Sequence, residues 1–496
     1  MGINESLANQ APNIARLVHN TGFSLGANIL ARLAHVILFV IISRLSGPAE
    51  AGILTIGLTY LAITGRLATW GLDQILVRDV AQDLSLSSKY FANFVLIRIG
   101  LTLVVAILLA GGFLFFEPYQ PESRWLIYLI TLNILPEGVI NLSQAVFMAY
   151  ERLEFMTLSG VLIGVLKLLF GGLALISGFG IVGVVGGLLL ANILAMLLTL
   201  IFTYHSFLSW QWELDVEFCR SQIKIAAPFV IIAGAYMIDN QMDVLLLSWQ
   251  AEERQVGLYG AAVTMVVGIA FLPQAYRDAV FPRLAGAFAQ GQAALQHLYR
   301  QSYKYLTLIA LPTTLGLIFL ARPILMTIFG SEFVPAVAAL QILAVSVGLL
   351  FLGILHNRLL IIANQQKKIA YFLAVGLLLN LGLNLTLVPS WGISGAAMAR
   401  LASNLLVFGL TYYAVFKQIY AFDAKSLWLR PIISSIFMII VLLLGEGQPL
   451  WLQILSGAAT YSLGLLLLKT FSSNEINFWL HILKFKDLKN RTENVK

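Results

Sequence analysis

Residues 36–81 have the sequence VILFVIISRLSGPAEAGILTIGLTYLAITGRLATWGLDQILVRDVA, in which two long apolar runs are separated by Ser46-Gly47-Pro48. Proline cannot donate a backbone hydrogen bond and glycine tolerates unusual backbone angles, so this tripeptide is expected to end one helix and begin the next. Each run, about residues 20–43 and 51–74, has the roughly 20 apolar residues that a helix needs to cross a bilayer. The stretch therefore predicts two membrane-spanning helices, of which the first is too long for the core of a cleaved signal peptide.

The rest of the chain has the same character. Of its 496 residues, 59% are hydrophobic and only 11% are charged, whereas a soluble domain has about 25% charged residues. Charged or Pro/Gly-containing breaks divide the chain into apolar spans. Their approximate limits are residues 20–43, 51–74, 90–116, 125–149, 156–177, 181–205, 223–249, 256–281, 303–320, 336–363, 369–388, 393–416, 429–445 and 449–470. The sequence thus predicts an all-α integral membrane protein with about 14 transmembrane helices.

The formal net charge of +7 would suit a nucleic-acid partner in a soluble protein, but this chain has no base-stacking motif on a basic soluble face, so no nucleic acid is expected. A single cysteine, Cys219, excludes an intrachain disulfide. No spacing of Cys and His resembles a zinc site. A nucleic-acid-binding protein, a disulfide-stabilised fold and a zinc site are therefore not expected.

The distribution of Lys and Arg predicts the orientation in the membrane. With a cytoplasmic N-terminus, 20 of the 31 Lys and Arg residues are cytoplasmic, four are external and seven lie within spans, which satisfies the positive-inside rule. Both termini are then cytoplasmic. Residues 478–491, FWLHILKFKDLKNR, alternate apolar and basic positions, which suits an amphipathic helix on anionic membrane lipid. A solvated tail is the alternative.

Two segments at an offset of 212 residues indicate an internal repeat: GFGIVGVVGGLLLAN at 178–192 and SWGISGAAMARLASN at 390–404. The starts of spans two and eight align similarly, with Gly52 over Gly257 at an offset of 205. Six spans per repeat give two parallel lobes, with a site between them near the membrane midplane. The predicted divisions are an N-lobe of helices 1–6 at residues 1–210, a C-lobe of helices 7–12 at 211–425, and helices 13–14 with a basic tail at 426–496.

Seven basic residues lie inside the predicted spans. A cation at mid-bilayer costs about 2.5–3.5 kcal/mol, so such residues usually face a bundle interior or a wet cavity. The arrangement indicates a route for an anion through the membrane. The seven residues are Arg32, Arg66, Arg98, Lys167, Arg277, Arg358 and Arg400.

Residues 36–81 resemble the N-terminal signature of the polysaccharide flippase family, which belongs to the multidrug/oligosaccharidyl-lipid/polysaccharide exporter superfamily. In that family a first span ends in R/K-x-L-G-P-x-x-x-G and a second in G-L-x-x-x-x-x-R-x-x-A, and Ser46 here displaces one usual glycine. The stretch FPRLAGAF at 281–288 is also similar to the family's F-P-x-L/I-S element. The other matching positions are Arg44, Leu45, Gly47, Pro48, Gly52, Gly71, Leu72, Arg78 and Ala81.

The resemblance implies a two-lobe fold shared with multidrug extruders and peptidoglycan-precursor flippases. It also implies translocation of a lipid-linked oligosaccharide, commonly on undecaprenyl diphosphate, from the cytoplasmic to the outer leaflet of a bacterial inner membrane. The implied partners are that lipid, the membrane lipids and polysaccharide assembly proteins. The family's motifs mark helix junctions and do not identify the sugar.

Six residues are candidates for substrate binding, because arginine can bind a phosphate through two charge-assisted hydrogen bonds. Asn28 and Arg32 share one polar stripe of the first span, and Lys167 shares a helix face with a row of glycines. Arg400 is the best central candidate in the second repeat. The remaining two are Arg66 and Arg277.

Each of these cations also has a structural alternative. Lys167 could form a buried ion pair with Glu137, and Arg277 could pair with Asp278 or Asp73 as a cytoplasmic gate or could snorkel to the surface. Arg98 and Arg358 lie in the cytoplasmic thirds of their spans, where snorkelling is favoured.

Two spans of the predicted C-lobe carry candidates for ion coupling. Asp239, Asn240 and Asp243 lie on span seven, and Asn380 and Asn384 lie one turn apart on span eleven. Neighbouring buried carboxylates raise each other's pKa or bind a cation, and amide oxygens suit sodium. The sequence therefore predicts coupling to a proton or a sodium ion and no other cofactor. Charge pairing with a neighbouring arginine is the alternative.

Two other functions compete with the flippase. A cation-coupled multidrug exporter should have excess acid in its cavity, whereas this chain has seven embedded cations against five acids. A membrane glycosyltransferase or polysaccharide polymerase should carry a long external loop or a paired-acid motif, and the sequence has neither. No enzymatic activity is expected.

Overall fold

The computed structural model describes residues 2–116, 119–209, 213–418, 425–471 and 475, with side chains except those of 2–33, 35, 115–116, 228–236, 238–239, 418 and 425–426. The described residues form α-helices and two short 3₁₀ segments, with no β-strand among them. The predicted amphipathic helix at 478–491 lies outside these residues. The helices are α1 Gly2–Thr69, α2 Leu72–Val80, α3 Ser87–Phe116, α4 Pro121–Thr131, α5 Ile134–Ala149, α6 Leu153–Ile176, α7 Gly180–Phe207, α8 Val216–Gln250, α9 Glu253–Ile269, α10 Phe271–Gln290, α11 Gln292–Phe319, α12 Ala321–Ile328, α13 Val337–Ile362, α14 Gln366–Gln418, α15 Lys425–Leu444 and α16 Leu450–Leu467.

The prediction of an all-α, multi-pass membrane protein is confirmed. Ten helices in the described part of the chain are long and apolar enough to cross a membrane, or eleven if α11 and α12, bent by 71°, form one span. The exact number of fourteen is not confirmed. Two of the long helices each contain a pair of predicted spans, joined at a non-helical glycine in α1 and in α14.

The two bends explain how one long helix contains two predicted spans. Gly47 has φ 81° and ψ −179°, and Gly392 has φ 51° and ψ −129°. Both are angles at which a side chain is strained and glycine is not. Pro48 follows the first bend and cannot donate the hydrogen bond that would continue the helix. The break read from the sequence at 46–48 is therefore the point where α1 turns.

The first and second repeats meet where α1 crosses α9. A Cβ atom added to Gly52 would lie 1.8 Å from the carbonyl oxygen of Glu253, and one added to Gly257 would lie 1.8 Å from that of Pro48. The contact is reciprocal, because the offset of 205 residues places Gly52 on Gly257 and Pro48 on Glu253. The largest cluster of buried apolar side chains surrounds this crossing. The lobe boundaries at 210 and 425 stay predictions.

A chain of hydrogen bonds also joins α1 to the helix α8 that precedes α9. The hydroxyl oxygens of Tyr60 and Tyr119 lie 3.2 Å apart, and the Tyr119 hydroxyl lies 2.6 Å from Ser248 Oγ. Trp249 Nε1 donates to the Tyr60 hydroxyl at 3.1 Å. These bonds connect α1, the segment before α4 and the end of α8. Together with the glycine contact they close the face of the molecule that the charge bias of the sequence predicts to be the external one.

Candidate functional site

A cavity of about 300 Å³ lies inside the first repeat, between α1, the α4–α5 pair, α6 and α7. Leucine, isoleucine and other apolar side chains of α1 and α4 form much of its wall. Polar side chains enter from the other helices. They are Asn133, Glu137 and Gln144 from the α5 segment, Thr157 and Lys167 from α6, and Asn192 from α7.

The charged side chains of this wall neutralise each other. Lys167 Nζ lies 2.9 Å from Glu137 Oε1, and both side chains are half-buried. Asn192 Nδ2 donates to Asn133 Oδ1 at 2.6 Å and to the same Glu137 oxygen at 3.3 Å. Among the described lining residues the cavity therefore holds one cation and one anion within a network of amides.

Two polar atoms in the cavity wall have no hydrogen-bond partner. They are Asn192 Oδ1, on a residue that is 1% exposed, and Thr157 Oγ1, on a residue that is 8% exposed. Leaving a buried donor or acceptor unsatisfied costs about 1–3 kcal/mol. Their arrangement suits a ligand that brings hydroxyl groups into the cavity.

Glycines on α6 make room for the cavity. Gly160 and Gly164 line it, on the same helix face as Lys167. Gly171, farther along that face, instead packs closely, because a Cβ there would lie 3.2 Å from Leu38. Along this face of α6, Gly171 therefore allows close packing on α1, whereas Gly160 and Gly164 leave space for the cavity.

A second polar cluster connects α8, α9 and α14. Arg400 Nε lies 2.5 Å from Asp243 Oδ2, and Arg400 Nη2 donates to the carbonyl oxygen of Asn240 at 2.9 Å. The Tyr259 hydroxyl donates to the same Asp243 oxygen at 3.0 Å. The structure thus joins a predicted substrate-binding residue to two predicted ion-coupling residues.

The remaining predicted coupling residues are placed only in part. Asn380 and Asn384 are completely buried. Asn384 Nδ2 donates to the Asn380 carbonyl oxygen at 2.9 Å and also to the Asn380 side-chain oxygen. The side chains of Asp239, Asn28 and Arg32 lie outside the described ones.

The prediction that Arg98 snorkels to the surface is wrong. Arg98 is completely buried. Its Nη2 lies 2.7 Å from Asp73 Oδ1, and its Nη1 donates to the carbonyl oxygen of Gly138 at 2.9 Å. These two partners satisfy the guanidinium within the bundle. Arg66, in the last turn of α1, is exposed.

We expect the substitution Gly138→Ala to lower stability, because the added Cβ would lie 2.4 Å from Arg98 Cδ. Overpacking of this kind costs about 1–3 kcal/mol. Thermal unfolding of the purified protein in detergent should show a lower midpoint. Gly172→Ala is the matched control, since nothing lies within 4 Å of a Cβ at that position. Equal midpoints for the two variants would contradict the close packing of Gly138 on Arg98.

Arg277 of α10 and Arg358, near the end of α13, share one acid. Arg277 Nε lies 2.7 Å from Asp278 Oδ1, and Arg358 Nη2 lies 4.0 Å from the same oxygen. The Arg358 guanidinium also lies 4.8 Å from the centre of the Phe281 ring. Of the two acids proposed as partners of Arg277, Asp278 is the one in contact, while Asp73 pairs with Arg98.

The family model described as polysaccharide biosynthesis protein matches residues 41–338. The chain belongs to this family. The match begins seven residues before Pro48 and includes the α1 bend, most of the residues that line the cavity and the α1–α9 crossing. The family-level resemblance seen in the sequence is thereby confirmed.

Two curated relatives are named as flippases. The chain is 29% identical over 171 residues to a probable low-salt glycan biosynthesis flippase, Agl15, of Haloferax volcanii, covering 34% of this chain and 36% of that protein. It is 28% identical over 226 residues to a probable lipid II flippase, MurJ, of Helicobacter pylori, covering 44% and 49%. The matched segments thus span less than half the length of each relative.

Solved structures share the fold over most of the chain. An inward closed conformation of the lipid II flippase MurJ superposes with a TM-score of 0.74 at 16% identity, over 90% of this chain and 98% of that one. An inward-facing multidrug resistance transporter of the MATE family gives a TM-score of 0.62 at 14% identity, over 78% and 94%. At these identities the likeness establishes the fold alone.

Five residues of the two polar clusters were not predicted from the sequence, although two of them carried a signal. Asn192 closes the repeated segment at 178–192 and aligns with an asparagine at the end of its partner segment. Asn133 lies one helical turn before Glu137. Thr157 and Tyr259 carried no signal, because a single hydroxyl in an apolar helix most often bonds its own backbone or faces a neighbour. Gln144 is likewise a single polar residue in an apolar stretch.

Proposed function

We propose that this protein moves a lipid-linked saccharide from the cytoplasmic to the outer leaflet of a bacterial inner membrane by alternating access. The observation that carries the proposal is the polar cavity within the membrane-spanning helices, in a fold shared with a lipid II flippase over 90% of the chain. Membership in a polysaccharide biosynthesis family and two relatives named as flippases support it. The attached lipid is an undecaprenyl diphosphate, as the family resemblance implies.

The physical task explains the need for such a cavity. A diphosphate and several hydroxyl groups cannot cross hydrocarbon unaided, because unpaired charges and unsatisfied polar groups there are costly. A wet, polar route between the helices removes most of that penalty while the lipid tail stays in the bilayer, and the cavity of the first repeat is proposed to form part of this route. Arg32 and Arg66 are proposed to bind the diphosphate, and Arg66 is exposed at the end of α1.

Deletion of the gene in the source cell, with plasmid complementation, tests the proposal. We expect finished lipid-linked saccharide to accumulate on the cytoplasmic leaflet and to clear on complementation. Unextended intermediates would indicate a glycosyltransferase or polymerase. Drug hypersensitivity without lipid accumulation would indicate a multidrug exporter of the same fold.

Ion coupling is a separate part of the proposal. Asp243 Oδ1 and Asn384 Oδ1 are buried oxygens without a hydrogen-bond partner, which suits a proton or a sodium ion. Arg400 already neutralises Asp243, however, so these residues fit a cation only where the guanidinium withdraws. We therefore propose that coupling requires a state in which Arg400 leaves Asp243. If the variants Asp239→Asn and Asp243→Asn transport at the normal rate, and ionophores do not change that rate, ion coupling through these residues is excluded.

A further inference from the structure

We propose that the cavity of the first repeat binds one sugar ring of the transported lipid, while the diphosphate is held elsewhere. This inference rests on the proposed function and adds a recognition site to it. The ligand class is a neutral saccharide, and the site consists of the polar lining residues Asn133, Glu137, Gln144, Thr157, Lys167 and Asn192.

The charge of the cavity favours a sugar over a phosphate. Glu137 Oε1 lies 2.9 Å from Lys167 Nζ, so a phosphate that approached the ammonium would also meet a carboxylate. A sugar hydroxyl can donate to the carboxylate and accept from the ammonium at the same time. The balanced pair therefore discriminates against the anionic part of the substrate.

The unsatisfied atoms point to the same ligand. Asn192 Oδ1 can only accept a hydrogen bond, and Thr157 Oγ1 can donate or accept. Hydroxyl groups on a sugar ring satisfy both kinds of atom. The two atoms come from different helices, α7 and α6, and both residues line the cavity. A polar ligand in the cavity would give both atoms a hydrogen-bond partner.

Size and shape limit the site to a small part of the saccharide. A volume of about 300 Å³ is at the lower end of the range for ligand pockets. This is room for a single ring rather than for a whole oligosaccharide. Leu54, Leu58 and Ile130 supply an apolar wall, which matches the C–H faces of a sugar ring.

The substitution Thr157→Val tests the site with little effect on the fold, because the hydroxyl that it removes has no partner. Thr199→Val is the matched control: Thr199 Oγ1 is also buried and unpartnered in the first repeat, but it does not line the cavity. The full-length protein in nanodiscs is titrated with two probes. They are the lipid-linked saccharide extracted from the source cell, and undecaprenyl diphosphate without sugar.

We expect Thr157→Val to weaken binding of the saccharide-bearing lipid about tenfold, the effect of one lost hydrogen bond. Its affinity for undecaprenyl diphosphate and its unfolding temperature should equal those of the wild type, and Thr199→Val should change neither affinity. Two results would overturn the sugar site but leave the proposed function standing. In one, Thr157→Val binds both probes as tightly as the wild type does; in the other, it binds both probes more weakly by the same factor. Failure of the wild type to bind either lipid would overturn both proposals.

Discussion

Replacing Gly52 or Gly257 by alanine is expected to separate α1 from α9 and to open the face that these helices close. The added Cβ would lie 1.8 Å from a backbone carbonyl oxygen, whereas a carbon and an oxygen in contact lie about 3.3 Å apart. Backbone cannot rotate away as a side chain can, so the helices themselves must move. The expected result is a population shifted away from the closed arrangement.

Cysteine labelling measures this opening. Thr59 lies on α1 two helical turns from Gly52. It is buried, and its hydroxyl donates to Gln241 Oε1 of α8 at 3.2 Å. In a Cys219→Ala background, a cysteine substituted at this position should react with a membrane-impermeant maleimide about tenfold faster when Gly52→Ala is also present. Overpacking destabilises the closed arrangement by about 1–3 kcal/mol. Since about 1.4 kcal/mol changes an equilibrium constant tenfold, the open, reactive population should rise by about that factor.

Gly65→Ala is the control for this experiment. It lies on the same helix α1, and nothing lies within 4 Å of a Cβ at that position. Labelling should therefore proceed as in the parent protein. If Gly52→Ala and Gly65→Ala label at the same rate, the glycine crossing does not hold the face closed.

The substitution Asp243→Leu should cause the largest loss of stability. Its side chain is 4% exposed and accepts hydrogen bonds from Arg400 and Tyr259. Removing one partner of a buried ion pair costs about 3–5 kcal/mol, because the other charge is left uncompensated. The double variant Asp243→Leu/Arg400→Leu should recover much of this loss, since neither charge then remains.

Thermal unfolding in detergent checks the expectation, with Asp278→Leu as the control. Asp278 also pairs with an arginine, at 2.7 Å, but its side chain is 52% exposed. Pairs exposed to this degree contribute about 0–1 kcal/mol. An Asp243→Leu variant as stable as Asp278→Leu would show that the pair does not clamp α8 to α14.

Much of the fold could be predicted because it depends on local chemistry. The bend at Gly47 follows from a glycine before a proline. The alignment of Gly52 with Gly257 in the repeat already indicated that the two are equivalent positions. Equivalent residues of two parallel repeats can meet on the axis that relates the repeats. Composition alone sufficed for an all-α membrane protein, although it did not establish the number of spans.

The site was harder to predict because it depends on packing between helices. Arg98 was expected to reach the surface, but the missing side chain of Gly138 lets it lie against α5 and bond to a carbonyl oxygen. The ion pair of Lys167 with Glu137 was one of two alternatives left open by the sequence, and it is the one that the structure shows. The part of Asn192, which donates to Glu137 from a third helix, was not predicted. The spacing of residues along one helix does not contain this information.

Translocation by the purified protein in vesicles tests the central claim most directly. Lipid-linked saccharide from the source cell is placed in the inner leaflet, and its appearance outside is followed by reaction with an impermeant sugar-oxidising reagent. We predict a rate well above that of protein-free vesicles and of vesicles with heat-unfolded protein. A rate equal to these controls, with protein that remains folded and binds the lipid, would contradict the claim that this chain is a flippase.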